Sequence, residues 1–398
     1  MKNDIPSLSD CSLIVGLRNN LAYTQAFYKA IREQYPAVEI VMVSYGSTDG
    51  THEWLEGLND PHVKFHYENV SKSLSETYNK GVELASSKLV TYVHNDMILG
   101  EGFIEALVEA WEPGSVTFYS LVEPPIFTDD SFDWKTVMDF GDNLENFKQE
   151  EFSEYVRNQK LSAKKPFVTE DHSFFLCVER SWLLEMGGLD ETFSPMFCED
   201  LDLIMRFSIQ DASLIQVPGA IAYHFVSKTS RFSQEYKEES KKIDQLAINN
   251  FYRKWRFHPF AKFRKAYDVV AVVENATTDG VFKIEPFVHK IYIDSSVEDY
   301  ISKYQKTTKI NLRNRVFSIN QMAYHDVVIY LDQEKMKEDD FKQIQRLSDI
   351  ISKNQVKNGN PLKRLFKDYR KISIGNIAGK INKFRSFEDK FSAIAINY

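Results

Sequence analysis

The chain has 398 residues, enough for roughly two to three domains of ~150 residues each. Hydrophobic residues make up 43% of it, aromatic residues 14% and charged residues 27%, which excludes disordered, collagen-like and low-complexity proteins. The net charge of −8 excludes a protein that binds nucleic acid through a uniformly basic surface.

The first part of the chain alternates predicted strands and helices. Apolar runs predict strands at 11–17, 38–43, 63–67 and 88–93. Helices are predicted after a cap at Asn19 or Asn20, after the turn 46–50, and over 74–85. This alternation predicts an open parallel sheet covered on both faces, and such sheets bind ligands beyond the carboxyl ends of their strands.

The rest of the chain is less regular. After an acidic insertion at 123–165, strands are predicted at 174–178, 214–217, 221–225, 269–273, 290–293 and 326–331. Helices are predicted over 181–186, 199–210, 233–256, 297–305 and 337–353. A break near 257–266 predicts two domains, 1–260 and 261–398, the second a smaller α/β unit followed by a helical basic region.

Positive charge collects at the C-terminal end. Residues 341–398 hold 13 Lys and Arg against 4 Asp and Glu, a net charge of +9, and a second basic cluster lies at 253–265. The stretch 129–154 is acidic. Each of these segments could be a solvated face, or the basic end could contact phospholipid headgroups or a nucleic acid backbone.

The cysteines and the N-terminus predict a location. Cys11, Cys177 and Cys198 are odd in number and widely spaced, which argues against a disulfide framework and indicates a reducing compartment. Residues 1–10 contain no apolar stretch of signal-peptide length, and no window approaches the ~20 apolar residues of a membrane span. We therefore expect a cytoplasmic protein, with peripheral membrane association as an option.

Five segments carry the strongest functional signal. In chain order they are VMVSYGSTDGTHEWL (41–55), YNKGVELASSKLVTYVHNDMIL (78–99), MGGLDETF (186–193), CEDLDLIMRF (198–207) and YHFVSKTSR (223–231). Together they resemble the family 2 inverting glycosyltransferases of the GT-A fold, over about residues 10–235. The resemblance implies a Rossmann-like α/β fold with a mostly parallel sheet. It also implies metal-dependent transfer of a sugar from a nucleotide-diphospho-sugar, such as a UDP-sugar, to an acceptor hydroxyl.

The candidate metal ligands are Asp96, His94 and His224. Asp96 follows a buried strand, at the edge where a diphosphate would lie, and a carboxylate beside a diphosphate requires a bridging cation. We therefore predict that Asp96 binds Mn²⁺ or Mg²⁺, the alternative being an N-cap for a helix at 101–111. His94 stands where the family has its first Asp, which favours Mn²⁺. His224 is the second ligand by resemblance.

Asp200 is predicted to be the general base. It opens a helix beside Glu199, and Asp202 follows it. Clustered carboxylates raise one another's pKa, which suits a base that works near neutrality. The alternative is a helix start rich in acids because the helix dipole favours them, and the neighbouring MGGLDETF segment argues against it. Arg206 is interpreted as a structural partner of a carboxylate.

The donor-binding candidates depart from the family pattern. Ser44 stands where the family usually has an Asp that recognises the nucleobase and ribose. Tyr45 could stack on a base, and Arg18 could reach a base carbonyl or a phosphate. Asp49 is expected to cap its helix. The full set of donor-binding candidates is Arg18, Ser44, Tyr45, Asn79, Lys228 and Arg231, of which the last two could close over the diphosphate.

We predict a metal-dependent inverting glycosyltransferase that acts by single displacement and needs no enzyme nucleophile. The acceptor is expected to be a surface polysaccharide or a glycolipid, with the basic C-terminal region on anionic membrane. An alternative acceptor is DNA with hydroxymethylated bases, as for some bacteriophage enzymes, with the basic region on the DNA backbone. A third hypothesis is a non-catalytic GT-A-like binding module, prompted by His94, Ser44 and Arg18.

Overall fold

A computed structural model describes residues 6–126, 132–162, 164–169, 173–226, 239–260, 265–351, 371–374, 377–383 and 386–388. The chain divides into two compact units between Lys241 and Lys242. This division falls within the helix Ser240–Trp255, ahead of the predicted domain boundary at residue 260.

The first unit alternates strands and helices from its start. Its strands are β1 (Cys11–Leu17), β2 (Glu39–Tyr45), β3 (Val63–Glu68), β4 (Leu89–His94), β5 (Met97–Leu99), β6 (Ser115–Glu123), β7 (Lys135–Val137), β8 (Phe167–Val168), β9 (Leu176–Glu179) and β10 (Ser213–His224). Its helices are α1 (Leu21–Gln34), α2 (Thr51–Gly57), α3 (Leu74–Leu84), α4 (Phe103–Ala110), α5 (Gln149–Leu161), α6 (Arg180–Glu185) and α7 (Glu199–Ile209).

One sheet joins these ten strands of the described residues. Its main order is β3-β2-β1-β4-β9-β6-β10-β5, with β7 beside β6 and β8 beside β10. Strand β9 is antiparallel to both β4 and β6, so β6 and its parallel neighbour β10 run in the same direction as β1, β2 and β4. The carboxyl ends of these five strands therefore meet at one edge. The predicted α/β class with an open, mostly parallel sheet is confirmed.

Helix α3 is held close to the centre of the sheet. It begins with a capping box in which Ser73 Oγ accepts from the Glu76 amide and the Glu76 carboxylate accepts from the Ser73 amide. A Cβ added to Gly81 would lie 2.4 Å from Cγ2 of Ile14 in β1, so only glycine allows this approach. The approach fixes the first turns of α3 beside the carboxyl end of β1.

Asp49 connects the starts of α1 and α2. Its Oδ2 accepts from the Leu21 amide at 2.8 Å, and its Oδ1 accepts from the Thr51 amide at 3.2 Å. Asn20 precedes α1 but makes no side-chain cap, and Asn19 accepts instead from a turn amide. The predicted asparagine cap is therefore wrong, because the carboxylate of Asp49 reaches the free amides of both helices.

The acidic insertion packs against the end of β10. The pair of strands predicted at 214–217 and 221–225 is a single strand with an irregularity between Val217 and Ile221. Phe147 of the insertion contacts Phe225 with ring centroids 5.2 Å apart, and Phe140 lies 5.8 Å from Tyr223. The insertion, which contains β7 and α5, thus forms a wall beside the carboxyl edge of the sheet.

The second unit contains another sheet. The strands of this part of the chain are β11 (Lys265–Tyr267), β12 (Val269–Glu274), β13 (Lys290–Ile293), β14 (Val316–Ser318), β15 (Val327–Asp332), β16 (Lys371–Ile374), β17 (Ile377–Ile381) and β18 (Ser386–Glu388). Its helices are α8 (Ser240–Trp255), α9 (Thr278–Ile284), α10 (Val297–Tyr304) and α11 (Glu338–Gln345). Six strands follow the order β14-β13-β12-β15-β17-β16, and β11 pairs with β18.

The C-terminal region differs from the predicted helical extension. Its described residues form β16, β17 and β18, and the remainder of 352–398 lies outside the described residues. The basic cluster at 253–265 is also not a single charged surface, because Arg253 is buried. Its guanidinium donates to Glu285 at 2.8 Å, and Arg315 binds the same carboxylate.

Among the helices that the structure describes, none combines the length and apolarity that a membrane crossing requires.

Candidate active site

Three strand ends place polar side chains together at the carboxyl edge of the first sheet. Strand β4 ends at His94 and is followed closely by Asp96, β6 ends at Glu123, and β10 ends at His224. Because β6 and β10 are parallel neighbours with Val122 opposite Tyr223, their last residues lie side by side. The edge therefore collects two imidazoles and two carboxylates.

The three predicted metal ligands converge. One ligand atom from each of His94, Asp96 and His224 lies within 4.8 Å of the others. Nε2 of His224 is 3.4 Å from Oδ1 of Asp96, and Nδ1 of His94 is 3.9 Å from the same oxygen. The alternative role of Asp96 as a helix cap is wrong, because α4 begins after Gly102 without a side-chain cap.

The chemistry of this cluster fits a divalent cation. Nε2 of His224 is buried and forms no well-aligned hydrogen bond, so it is available as a ligand. Mg²⁺ strongly prefers oxygen ligands, whereas imidazole nitrogen together with carboxylate oxygen is a usual donor set for transition metals. The residues present therefore fit Mn²⁺ better than Mg²⁺.

The two histidines differ in protonation. Burial lowers the pKa of His94 to about 4, which leaves its ring neutral. Burial also opposes a charge on His224, but the carboxylates of Asp96 and Glu123 outweigh it and raise the pKa of His224 to about 10 in the protein alone. A bound cation would compete with that proton, because a metal ligand must be deprotonated.

A cavity of about 590 Å³ opens beside the cluster. His94 lines it at one end, and Pro195 and Met196, which lead into α7, line it as well. Burial raises the pKa of Tyr78, another lining residue, and the charges of Asp96 and Glu199 both add to that rise. The cavity therefore adjoins His94 of the metal-ligand cluster and the segment that leads into α7.

Arg18 and Tyr45, both predicted to bind the donor, line this cavity. Nη1 of Arg18 donates to the carbonyl of Tyr45 at 2.5 Å. A Cβ on Gly46, which has φ +68°, would lie 2.2 Å from that nitrogen, so glycine is required for the guanidinium to occupy this place. Lys72 also lines the cavity and was not predicted from the sequence as a donor-binding residue. Its Nζ lies 4.3 Å from the centre of the Tyr45 ring. Its position just before the Ser73 cap of α3 was the available signal.

Ser44 does not face the cavity. Its side chain is fully buried, and its Oγ lies 2.8 Å from Ser47 Oγ and 3.0 Å from Nε2 of His52. The serine at the usual position of the family's aspartate is thus part of an internal hydrogen-bond network.

Asn79 is also placed away from the cavity lining. Its Nδ2 donates to the Leu189 carbonyl at 2.9 Å, and its Oδ1 accepts from the Leu189 amide at 2.8 Å. Asn79 therefore connects α3 to the MGGLDETF segment. Lys228 and Arg231, the remaining donor-binding candidates, lie outside the described residues.

The carboxylates at the start of α7 have different surroundings. Asp202 is fully buried and paired with Arg206 at 2.9 Å, and Arg206 also donates to the carbonyls of Met186 and Gly188. The structural interpretation of Arg206 agrees with these contacts. Glu199 is 5% exposed, and burial followed by the nearby charge of Asp200 raises its pKa well above the usual range.

Glu123 was not recognised in the sequence. Its carboxylate lies 2.9 Å from Nδ1 of His224, a residue 101 positions away along the chain. The available signal was local: residues 115–123 form an apolar run that ends in an acid, as β4 ends in polar side chains.

The family match is consistent with this geometry. Residues 12–179 match the family model described as glycosyl transferase family 2. Residues 12–179 are thus similar to glycosyl transferase family 2. The predictions of a glycosyltransferase and of a GT-A fold are thereby confirmed.

Known glycosyltransferases resemble this one at low identity. Rhamnosyltransferase WbbL of Escherichia coli is 23% identical over 239 residues, covering 50% of this chain and 88% of WbbL. GalNAc-T7, solved with UDP, GalNAc and Mn²⁺, has a TM-score of 0.44 at 14% identity over 62% of this chain, which spans 50% of GalNAc-T7. The mannosyltransferase PcManGT of Pyrobaculum calidifontis, in complex with GDP-Man and Mn²⁺, has a TM-score of 0.38 at 17% identity, covering 56% of this chain and 58% of its own. TarS of S. aureus has a TM-score of 0.40 at 13% identity, covering 61% and 71%.

Proposed function

We propose that this glycosyltransferase transfers a sugar from a nucleotide-diphospho-sugar to an acceptor hydroxyl with inversion, in a metal-dependent reaction. The supporting observation is that His94, Asp96 and His224 converge within 4.8 Å, and that His94 also lines a cavity whose lining includes Pro195 and Met196, shortly before α7. This arrangement provides a place for a diphosphate at one end of the cavity and a carboxylate for the acceptor near α7.

The cation site consists of the side chains of His94, Asp96 and His224. When bound there, Mn²⁺ would neutralise the charge of the leaving diphosphate. His94 is suited to this role because burial keeps its ring neutral. Asp96 supplies the anionic ligand, at 1% exposure, and Phe175 packs against both histidine rings.

Asp200 is the general base of this proposal. Asp202 is engaged by Arg206, whereas burial and then the charge of Asp200 raise the pKa of the Glu199 carboxyl well above its usual range, which favours its protonated form. Asp200, by contrast, lies in the first turn of α7 and is partly exposed. In this proposal Asp200 accepts the proton of an acceptor hydroxyl, and Glu199 donates a hydrogen bond. Direct displacement then inverts the anomeric carbon without an enzyme nucleophile.

The donor base is proposed to be uracil or thymine. The described cavity lining presents the cations Arg18 and Lys72 and the phenol of Tyr45, and it includes no carboxylate. Such a lining donates hydrogen bonds to carbonyl oxygens, which the pyrimidine diones present on both sides of their one N–H. Guanine, with adjacent N–H donors, would lack a carboxylate partner.

The acceptor is proposed to be a glycan or glycolipid hydroxyl. The acidic insertion lies beside the metal-ligand edge: burial raises the pKa of Tyr23, and Asp96, Asp142 and Glu145 each add to the rise. Carboxylates in this position would repel a DNA backbone. The DNA alternative relied on the basic C-terminal end, of which most residues beyond 351 lie outside the described residues. The cytoplasmic location and the basic C-terminal contact stay predictions.

Release of nucleoside diphosphate from UDP-, dTDP- and GDP-sugars with Mn²⁺ tests the reaction and the donor together. We expect release from the uracil or thymine donors, and loss of roughly 10²–10⁴-fold in kcat for Asp200→Asn. The exposed Glu185→Gln on α6 is the matched control and should retain wild-type turnover. Full activity of Asp200→Asn, or no release from any donor, would contradict the proposed chemistry. Preference for GDP-sugars would contradict only the donor base.

Acceptor class is tested by binding. We expect the protein not to bind a fluorescent DNA duplex in a salt-sensitive way. Binding to the DNA backbone would instead show an affinity that falls steeply between about 50 and 200 mM salt. Tight, salt-sensitive duplex binding would restore the DNA hypothesis.

A further inference from the structure

Glu123 and His224 are neighbours at the ends of two parallel strands. β6 ends at Glu123 and β10 at His224, and the register places the preceding residues Val122 and Tyr223 opposite each other. The Glu123 carboxylate lies 2.9 Å from Nδ1 of His224. The two side chains are 16% and 8% exposed, so this contact is largely shielded from water.

The contact determines which nitrogen of His224 faces the cluster. A carboxylate accepts a hydrogen bond, so the nitrogen beside Glu123 is the one that carries a proton. Nε2, which lies 3.4 Å from Asp96 without a well-aligned hydrogen bond, is then the nitrogen at which a bound cation would replace a proton. An imidazole held in this way is oriented as a ligand.

Glu123 does not belong to the group of converging ligand atoms, which consists of His94, Asp96 and His224. Its backbone is held independently, since the Met138 amide donates to the Glu123 carbonyl at 2.9 Å. Among the residues that the structure describes, the ion pair of Glu123 is with His224 and not with a lysine or arginine. The contact of Glu123 with this cluster is therefore through His224.

We propose that Glu123 is a positioning residue, which fixes the orientation and tautomer of His224 so that Nε2 can ligate a divalent cation. This inference rests on the metal-dependent reaction proposed above. It assigns to Glu123 a role through His224 and not a contact with the metal.

The test is a Mn²⁺ titration of the full chain without donor or acceptor, with free Mn²⁺ measured by electron paramagnetic resonance. Glu123→Ala should raise the dissociation constant by roughly 10–100-fold. Glu123→Gln should cause a smaller rise, because its amide oxygen can still accept the proton of Nδ1. The matched control is Glu101→Gln, an exposed acid just before α4, which should bind like the wild type.

Two further measurements separate positioning from a general loss of structure. Electron spin echo envelope modulation detects ligand nitrogen at bound Mn²⁺. We expect this nitrogen signal to decrease in Glu123→Ala and in His224→Ala. In a His224→Ala background, Glu123→Ala should cause no further loss of affinity, because the two changes act on one ligand. Thermal unfolding in EDTA checks that each variant is folded. If Glu123→Ala does not fold, the same measurements are made with Glu123→Gln.

The outcomes distinguish this inference from the proposed function. If the wild type binds Mn²⁺ and the Glu123 variants bind it equally well, the positioning role is overturned while metal dependence stands. Additive losses in the double variant would also overturn it. If the wild type binds no Mn²⁺, both the metal dependence and the role of Glu123 are overturned.

Discussion

His94 gives the candidate metal site its particular chemistry. The family pattern has an acid at this position, and here a buried imidazole with a pKa lowered to about 4 takes its place. A neutral nitrogen ligand reduces the negative charge of the site and favours a transition metal over Mg²⁺. Asp96 and His224 would be shared by either type of site, so the choice of metal should depend on His94.

Replacement of His94 by aspartate should therefore change metal preference. We expect His94→Asp to increase the ratio of Mg²⁺-supported to Mn²⁺-supported kcat/KM on the order of tenfold, because the new ligand is an anionic oxygen. The ratio is measured with the same donor and acceptor in each metal. The exposed His62→Asp should leave it unchanged, and an unchanged ratio in His94→Asp would show that this position does not select the metal.

Arg18 offers a second test at the scale of one residue. It lines the cavity and is held by the Tyr45 carbonyl above Gly46. Loss of a charged hydrogen-bond donor costs about 1.5–3 kcal/mol, so Arg18→Met should raise the KM for the donor by roughly 10–150-fold. Steady-state kinetics should show a smaller change in kcat. Exposed Arg157→Met on α5 is the control, and an unaltered KM in Arg18→Met would remove Arg18 from the donor site.

At the scale of elements, two side chains join the helices that border the cavity. Asn79 of α3 forms hydrogen bonds with both the amide and the carbonyl of Leu189, and Arg206 of α7 donates to the carbonyls of Met186 and Gly188. The segment between α6 and α7 is thus held from both sides. These residues position the start of α7, and with it Asp200, without lining the cavity.

Asn79→Ala separates this structural role from the predicted donor contact. Loss of hydrogen bonds that satisfy a partly buried backbone should lower the free energy of unfolding by about 1–3 kcal/mol. The KM for the donor should remain near the wild-type value. Urea denaturation and kinetics on the same preparation measure both, and a raised KM with unchanged stability would instead support the donor role predicted from the sequence.

At the scale of the whole molecule, the second unit contains a buried ion-pair network. Glu285 is fully buried between Arg253 and Arg315, and Tyr300 donates to the same carboxylate. Burial alone would raise the pKa of Glu285, but the two guanidinium groups outweigh it and lower the pKa to about 2. A pKa lowered by folding means that the charged form stabilises the folded state.

Removal of this charge should destabilise the protein. Glu285→Gln leaves two buried guanidinium groups without their shared partner, a loss of about 3–5 kcal/mol in the free energy of unfolding. In the wild type the contribution is present above the ordinary glutamate pKa and is lost as the pH falls toward 2. The difference between variant and wild type in urea denaturation should therefore be large at pH 7 and shrink in acid. Glu298→Gln, which breaks an exposed pair with Arg313, is the control for little change.

Local pattern was sufficient for much of the first unit. Every residue of β1 except Gly16 is buried. Apolar runs of this kind are typical of parallel strands. Because β4 is followed at once by polar side chains, the position of Asp96 at a ligand-binding edge followed from chain order alone. The convergence of His94, Asp96 and His224 was anticipated from the motifs and is seen in the structure, whereas their role as ligands stays a proposal.

The remaining features depend on contacts between residues far apart in the chain. Glu123 meets His224 across 101 positions because β6 and β10 are paired in parallel, a pairing that no local pattern indicates. Arg253 lies in a basic stretch and is nevertheless buried, since burial of a charge requires an opposite charge, here Glu285, that is 32 residues away. Hydrophobic periodicity is a property of one continuous segment, so it can be recognised from the sequence. A buried polar or charged group needs a hydrogen-bond or charge partner, and in these cases the partner comes from another segment. Such a pair forms only once the chain has folded.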